Sequence, residues 1–289
     1  MRPDGKRVKA LYPMYEVVPF IMPKRYDAQN MVNIQLDEDV IRDYLREKRR
    51  DGVRMDHMTV LIAAYLRTCA KYPVLNRFVM NRRIYQRNHF CVCFVALKKR
   101  PDGSLDETVL KVYLDPSDDI FTVHKKMQDV IRKNAEESYD SSFDKFVHAI
   151  ISVPGLVRVV VGLATFLDHH GLLPRKIIDI SPFHTSLFVT NLASINTNYI
   201  YHHLYEFGTT SLFVAMGKII RDYRNNRDDK HVMPLGIVMD ERIASGYDFS
   251  RMMVEMRKYM RNPSLLEQPY NDNSDSVDAD ESEEVGAVD

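Results

Sequence analysis

The chain has 289 residues, of which 45% are hydrophobic and 28% are charged, as in a soluble globular protein with a sizeable core. Its three cysteines, Cys69, Cys91 and Cys93, are too few for a disulfide framework, so we expect buried thiols in a reducing, cytoplasmic compartment. No charged and then apolar leader begins the sequence, which gives no indication of secretion.

The formal net charge of zero conceals an acidic tail. Residues 271–289 hold eight of the 40 acidic residues and no Lys or Arg, which leaves 32 acidic against 40 basic residues, a formal charge of +8, in the rest of the chain. Many charges and few apolar groups predict a disordered tail. It is either a solubilising tail or an electrostatic cover over a basic surface that receives phosphates or anionic lipid. Residues 1–270 contain no linker and are predicted to form one domain.

In chain order, the predicted elements alternate between strands and helices. Residues 15–23 contain two prolines, which break helices, so we expect an extended segment there. Residues 31–36 alternate apolar and polar side chains and predict a strand, with Val32, Ile34 and Leu36 on one face. Further helices are predicted at residues 37–52, 58–73, 121–137 and 248–262, and further strands at 90–97, 108–114, 185–192, 210–220 and 234–240.

The helix predicted at residues 248–262 carries a stripe of methionines, including Met252, Met256 and Met260, at helical spacing. Met fills irregular interiors readily, so we interpret the stripe as core and not as a cofactor site. Helices mixed with strands, ending in a strand, a turn and a helix, predict a layered α/β sandwich with a mixed sheet and helices on one face.

Residues 146–173 form an apolar stretch that Pro154 and Gly155 divide and that contains Arg158. Each half is too short for a membrane span, which takes about 20 apolar residues. Three interpretations remain: a helical hairpin buried on the domain, an oligomer contact, or a shallow membrane-surface anchor. His169 and His170 at its end lack the spaced Cys, His or carboxylate partners of a metal site.

Three segments together resemble the catalytic domain of the 2-oxo acid dehydrogenase acyltransferases, the family that includes chloramphenicol acetyltransferase. Residues 58–79 resemble the family's helix and Pro-x-x-Asn turn, and residues 186–195 and 211–219 resemble its TNLG-type strand and the apolar strand after it. Residues 234–266 resemble its closing segment. The pieces keep their order and spacing over residues 15–267. The resemblance implies the chloramphenicol acetyltransferase-like fold and a homotrimer with sites between subunits.

The family's D-H-R-x-x-D-G motif is altered in this sequence. Asp240, Arg242 and Gly246 match it, Glu241 stands in place of the catalytic histidine, and Ser245 replaces the supporting aspartate. In the family the histidine takes a proton from the thiol of CoA or dihydrolipoamide, and the thiolate attacks an acyl carbonyl. A glutamate, with an ordinary pKa of about 4.3, is a much weaker base than histidine unless burial raises that pKa. The two changes indicate lost or remodelled chemistry.

Other side chains are candidates to restore the chemistry. His202 and His203 follow the TNL strand and His184 precedes it, so that a histidine could replace the base; the alternative is a solvated loop or an interface. Thr190 and Asn191 fall where family members place hydroxyl groups near the tetrahedral oxyanion. Alternatively, they are a strand hydroxyl and a loop amide bonded to backbone.

Two main functions follow from the resemblance. The first is an acyltransferase with a remodelled site that moves an acyl group to or from a CoA-type thiol, with Glu241 or a nearby histidine as base. The second is an inactive trimeric scaffold or membrane-associated assembly protein, and a non-catalytic CoA or acyl-chain sensor is a third. CoA or acyl-CoA would be a co-substrate, and we expect no covalently bound cofactor, no metal and no nucleic-acid partner.

Overall fold

The computed structural model of the protein describes residues 2–9, 13–99, 103, 105–136, 151–222 and 227–271. The predicted acidic tail from residue 272 onward and residues 146–150 of the apolar stretch lie outside the described residues. The strands are β1 (Gly5–Arg7), β2 (Gln29–Asp37), β3 (Arg77–Met80), β4 (Arg83–Arg87), β5 (Phe90–Lys99), β6 (Leu105–Leu114), β7 (Leu187–Asn191), β8 (Leu212–Met216), β9 (Ile220–Asp222) and β10 (Arg227–Asp240). The α-helices are α1 (Pro13–Ile21), α2 (Glu38–Arg50), α3 (His57–Lys71), α4 (Ile120–Glu136), α5 (Leu156–His169), α6 (Arg175–Ile180) and α7 (Gly246–Arg261).

A mixed sheet forms the centre of the molecule. Its strand order is β2-β10-β8-β7-β5-β6, and β9 adds to the first part of β10. The β5–β7 and β7–β8 pairs are parallel, and the other neighbours run antiparallel. The strands predicted at residues 31–36, 90–97, 108–114, 185–192, 210–220 and 234–240 all fall within or over strands of this sheet.

Helices α2, α3, α4 and α7 cover one face of the sheet. Helix α3 is buried along nearly its whole length, and Met252, Met256 and Met260 of α7 lie in the same apolar cluster, which confirms the methionine stripe as core. On β2, Ile34 and Leu36 face this core while Met31 is 47% exposed, as the alternation predicted. The cysteines are free and buried. The predicted two-layer sandwich is therefore confirmed.

The extended segment predicted at residues 15–23 is wrong, because residues 13–21 form helix α1. Pro13 is the first residue of the helix. An N–H at that position would have no intrahelical acceptor, so proline loses no hydrogen bond there. Pro19 lies in the last turn of a nine-residue helix, so the loss is confined to one backbone hydrogen bond. Of the two prolines in the predicted segment, only Pro19 lies in the helix and Pro23 follows its end at Ile21, so neither prevents the helix.

The apolar stretch is exposed where the structure describes it. Val159 of α5 is 65% exposed, Leu163 57% and Phe166 56%. The interpretation as a hairpin buried on the domain is therefore wrong for residues 151–172, and the oligomer and membrane-surface interpretations stay as predictions. Among the described residues, no helix is long and apolar enough to cross a membrane.

A smaller sheet, in the order β1-β4-β3, closes the end of the central sheet at which β10 ends. Asn81 and Arg82, both at positive φ, make the tight turn between β3 and β4. Beneath this sheet, Arg2 is buried and forms ion pairs with Asp4 and Asp168. Asp168, near the end of α5, also contacts His184. These ion pairs attach the otherwise exposed α5 to the body of the molecule.

Candidate active site

The altered motif begins where β10 ends. The carboxylate of Asp240 is fully buried and accepts two hydrogen bonds of 2.7 Å from Nε and Nη2 of Arg242. Nε of Arg25 lies 3.5 Å from the same carboxylate, and burial lowers the pKa of this guanidinium. Arg25 also donates to the carbonyls of Val79 and Gly208. Asp240 and Arg242, which match the motif, thus form with Arg25 a buried ion cluster that joins β10 to the strand and loop beside it.

Glu241, in the position of the family's histidine, is half-buried at the surface of this ion cluster. Its backbone N–H donates to the carbonyl of Ala28, and its Oε2 accepts a hydrogen bond of 2.6 Å from Nδ2 of Asn30. The carboxylate is therefore held in place by an amide from the start of β2. A carboxylate held in this way can orient a basic side chain that approaches it and can stabilise the protonated form of that side chain.

Ser245 has a structural position. Its hydroxyl accepts the backbone N–H of Asp248 at 3.1 Å, and the Asp248 carboxylate accepts the backbone N–H of Ser245 at 3.0 Å. This is a capping box at the start of α7. Gly246, the first residue of the helix, has open space around it and needs no special backbone conformation. The replacement of the family's aspartate by serine therefore supplies a helix cap.

Thr190 and His202 meet at the other end of the sheet. Oγ1 of Thr190 lies 3.1 Å from Nε2 of His202, whose ring stacks on Phe213 with centroids 4.3 Å apart. Burial, and then the charge of neighbouring His203, lowers the pKa of His202 below its ordinary value of 6.5. His202 is therefore neutral at neutral pH and able to accept a proton. His203 is exposed, which agrees with a solvated loop residue.

Asn191 follows Thr190 at the end of β7. Its Oδ1 is buried and has no hydrogen-bond partner within the described part of the chain. The alternative was that both side chains bond to backbone. The structure instead places Oγ1 of Thr190 against His202 and leaves Oδ1 of Asn191 without a hydrogen-bond partner among the described residues. Alternation along β7 places Asn191, level with Met216, on the helix-covered face of the sheet, opposite to the face on which Thr190 meets His202.

The loop that carries His202 crosses directly over two strands. A Cβ on Gly236 would lie 2.6 Å from the ring of Tyr199 and 2.7 Å from the carbonyl of Ile200, and one on Gly217 would lie 2.6 Å from the Tyr199 nitrogen. Gly236 in β10 and Gly217 directly after β8 therefore both need to be glycine for the loop to approach. This contact fixes the chain three residues before His202.

The register of the sheet separates the two halves of the predicted site. Thr190 is level with Ala215, which pairs with Gly236, whereas Asp240 lies four residues further along β10. That offset is about 13 Å at roughly 3.3 Å per residue, and Glu241 continues beyond it. One chain therefore brings Thr190 and His202 together on one face, leaves Asn191 on the other face of the sheet, and places Glu241, Asp240 and Arg242 at the opposite end.

His184 belongs to neither half. It is fully buried, with Nδ1 2.8 Å from Oγ of Ser181 and Nε2 3.2 Å from the Asp168 carboxylate. That carboxylate has a lowered pKa because the hydrogen bonds and charges of His184 and Arg2 outweigh burial, which alone would raise it. His184 is thus part of the ion cluster that attaches α5. No group of three metal-ligating side chains occurs in the described ranges, His169 and His170 included.

Sequence reasoning missed Arg25, Asn30 and Phe213. Arg25 and Asn30 act on residues more than 200 positions away along the chain, so that no local spacing could reveal them. Phe213 was predicted only as a strand residue. The alternation of side chains along a strand shows which face Phe213 occupies, but not that the His202 ring stacks on it.

The described fold is similar to solved acyltransferases. A probable dihydrolipoamide acetyltransferase from Listeria monocytogenes matches with a TM-score of 0.53 at 10% identity, over 88% of this chain and 94% of that chain. A truncated catalytic core of the 2-oxoacid dehydrogenase multienzyme complex from Thermoplasma acidophilum matches with a TM-score of 0.53 at 12% identity, over 89% and 99%. A chloramphenicol acetyltransferase gives a TM-score of 0.53 at 10% identity, over 89% and 99%.

In the comparisons by sequence, no family model matches the chain and no curated protein matches it significantly. Identities of 10–12% establish fold alone. The chain has the fold of chloramphenicol acetyltransferase and of the 2-oxo acid dehydrogenase acyltransferase cores, as the sequence resemblance predicted.

Proposed function

We propose that the protein transfers an acyl group to or from a CoA-type thiol, with His202 in place of the family's motif histidine as the base. The observation that carries this proposal is the 3.1 Å contact between Nε2 of His202 and the Thr190 hydroxyl. A base within hydrogen-bond reach of a polar hydroxyl, with a pKa below 6.5, suits proton transfer at neutral pH.

The chemistry follows from the two side chains. An incoming thiol replaces the Thr190 hydroxyl as donor to Nε2, gives up its proton there, and its sulfur forms a bond to the acyl carbonyl carbon. The protonated Nε2 then donates to Oγ1 of Thr190, which leaves the Thr190 O–H free to donate to the tetrahedral oxyanion. When the intermediate collapses, the bond to the leaving group breaks and the leaving group takes the proton from His202.

Glu241 completes the site from a second copy of the chain. Within one chain it lies at the opposite end of the sheet from His202, and the resemblance implies a homotrimer in which the TNL strand of one subunit faces the motif loop of the next. There the Glu241 carboxylate, held by Asn30, would stabilise the His202 imidazolium. Three free, buried cysteines suit a reducing, cytoplasmic setting for such an enzyme.

The test is transfer of the acyl group from acetyl-CoA or octanoyl-CoA to dihydrolipoamide, followed by chromatography as the appearance of S-acyl-dihydrolipoamide and free CoA. We expect His202→Gln to lower the rate by about a hundredfold or more, the usual loss when a general base is removed. His203→Gln is the matched control and should leave the rate at pH 7.5 within about twofold, because its ring is exposed. Equal rates for wild type and His202→Gln would remove His202 from the mechanism.

A mixing experiment tests the shared site. His202→Gln and Glu241→Gln chains, each weakly active alone, are unfolded together, refolded and assayed. Mixed trimers would contain sites with one intact His202 and one intact Glu241, so activity should return to a fraction of the wild-type value. Activity that stays at the level of the two separate variants would contradict a site between copies.

A second candidate is the inactive trimeric scaffold or membrane-associated assembly protein. The observation that favours it is that Asp240, Arg242 and Ser245 all have structural partners, so the motif could persist for folding alone. Under this alternative, wild type consumes no acyl-CoA and Glu241→Ala leaves the assembly intact.

A further inference from the structure

Helix α1 has its apolar side turned to solvent. Met14, Val17 and Ile21 are 66%, 47% and 68% exposed, and their spacing of three and four residues places them on one face of the helix. Pro19, on the opposite side, is buried. A surface helix usually packs its apolar face on the core, so the orientation of α1 is the reverse of the usual one. An exposed apolar face of this kind marks a contact with another surface.

The tight turn between β3 and β4 joins the end of α1 to the end of α5. The guanidinium carbon of Arg82 in this turn lies 5.9 Å from the ring centroid of Phe20, which is itself exposed. Nδ2 of Asn81, the other turn residue, donates to the carbonyl of His169 at 3.5 Å. Burial lowers the pKa of the His169 imidazole, and nearby positive charges, that of Lys24 among them, add to the lowering. The segment that follows α1 is therefore close to the end of α5.

Helix α5 carries the second apolar area. Leu163 and Phe166 are exposed, and so is Leu172 beyond the end of the helix. The centroid of the Phe166 ring lies 4.2 Å from that of His170, directly after the residue that the turn contacts. The apolar areas of the two helices therefore approach each other at the β3–β4 turn. Residues 13–28, 81–83 and 156–172 together are called the α1–α5 surface below.

Positive charges outnumber negative ones on the α1–α5 surface. It has four exposed cations, which form no ion pair in the part of the chain that the structure describes: Lys24, Arg82, Arg83 and Arg158. Its acids are fewer, because Asp168 is buried and paired with Arg2, Glu16 is half-buried and Asp27 alone is exposed. The exposed part of the surface thus combines apolar side chains with a net positive charge, which attracts anionic headgroups.

We propose that the α1–α5 surface binds a membrane of anionic lipid from one side. The apolar side chains of both helices lie at the boundary between headgroups and acyl chains, and the cations contact the headgroup phosphates. This binding does not rest on acyl transfer and holds equally for an inactive scaffold of the same fold.

An anionic membrane fits these charges better than a second copy of the chain does. In a twofold contact the same patch lies on both partners, so the cations of one copy would face the cations of the other. Like charges brought together across an interface weaken it. Lipid phosphates supply the opposite charge, and acyl chains supply an apolar phase for Phe20, Ile21 and the exposed side chains of α5.

Sedimentation of the full chain with two kinds of vesicle tests the proposal. One kind contains phosphatidylcholine alone, and the other contains equal parts of phosphatidylcholine and anionic phosphatidylglycerol. We expect binding to the mixed vesicles and at least about tenfold weaker binding to phosphatidylcholine, since each cation near an anionic surface strengthens binding about fivefold. Equal binding to both kinds, or no binding to the mixed vesicles, would overturn the proposal.

An apolar-to-acidic pair tests the part of α1. Val17→Asp should lower the fraction bound to the mixed vesicles severalfold, because it places a charge on the inserted face. Val254→Asp is the same change at an exposed position of α7 and should bind as wild type does. If Val17→Asp binds as wild type does, or changes the oligomeric mass and not vesicle binding, α1 does not contact the membrane.

A charge pair tests the headgroup contacts. The double variant Lys24→Gln with Arg82→Gln leaves the apolar faces intact and should weaken binding to the mixed vesicles at least about tenfold. Arg257→Gln with Arg261→Gln removes two exposed cations of α7 and should leave the binding within about twofold of wild type. Equal losses in the two double variants would mean that net charge alone attracts the protein, and the α1–α5 surface would not be the site.

Discussion

Asp240 lies between the guanidinium groups of Arg25 and Arg242, and all three side chains are buried at the end of β10. Removing the carboxylate charge would leave two buried cations without an ionic partner. We therefore expect Asp240→Asn to lower the free energy of unfolding by about 3–5 kcal/mol. Urea denaturation measures it. Asp43→Asn is the control, since its ion pair with Arg46 is exposed on both sides and should contribute under about 1 kcal/mol.

Ser245 should matter for stability and not for catalysis. Because its hydroxyl caps α7, Ser245→Ala is expected to cost about 1 kcal/mol of unfolding free energy. The rate of thioester consumption at saturating substrate should stay unchanged. Ser250→Ala, at an exposed position of the same helix, serves as the comparison and should leave stability within about 0.5 kcal/mol. A loss of turnover in folded Ser245→Ala would assign the serine a chemical role.

The pH dependence of the rate reports on His202. The base must be neutral, and its pKa lies below 6.5, so the rate should be constant above that pH and fall as the pH drops through the lowered pKa. His203 contributes to the lowering through its charge. His203→Gln should therefore raise the pKa of His202 and move the acid limb to higher pH. An acid limb that does not move in this variant would contradict the assignment.

At the scale of elements, the spacing of apolar residues was sufficient to predict which side chains are buried wherever an element buries one face. The alternation in β2 and the methionine spacing in α7 both predicted the faces found, because burial dictates them. Residues 15–23 were predicted as extended because a proline rule for helix interiors was applied to Pro19, which lies in the last turn of α1, and to Pro23, which lies beyond the end of α1. In the candidate site, proximity in sequence suggested His202 near Thr190, but ring stacking on Phe213 and the anchor from Asn30 arise from tertiary packing alone.

The first half of helix α5 exposes apolar side chains on most sides, whereas Asp168 near its end is buried. Val157, Val159, Val160 and Val161 point in successive directions and are all at least 37% exposed. An exposed apolar helix surface of this kind can insert into the boundary between the headgroups and the acyl chains of a membrane. We therefore expect the protein to sediment with anionic lipid vesicles through α5.

The matched pair Val159→Asp and Val254→Asp tests this expectation, since each valine is 65% exposed, one on α5 and the other on α7. Val159→Asp should reduce the vesicle-bound fraction severalfold, because placing a charged side chain in the apolar part of the membrane interface lowers the binding free energy by up to about 3 kcal/mol. Val254→Asp should bind as wild type does. If Val159→Asp instead changes the oligomeric mass and not vesicle binding, α5 is an oligomer contact.

At the scale of the whole molecule, the central sheet has one face covered by helices and another left largely open. On the open face, Met31, Leu97 and Val109 are 47%, 49% and 43% exposed. A two-layer fold buries both faces of its sheet only when something else covers the second one. A neighbouring subunit would cover it, in agreement with the trimer that the resemblance implies, and would also bring a second chain's Glu241 to His202.

The proposed trimer would make activity depend on assembly. Light scattering should give a mass of three 33.7 kDa chains for wild type. Val109→Lys places a charge on the open sheet face, level with Thr190 and two strands away from it. It should yield monomers that consume no acyl-CoA, because neither half of the site works alone. Val254→Lys, on the exposed side of α7, should remain trimeric and active. A fully active Val109→Lys monomer would show that one chain suffices for the reaction. We do not expect this result, because the two halves of the site are separated along β10 within one chain.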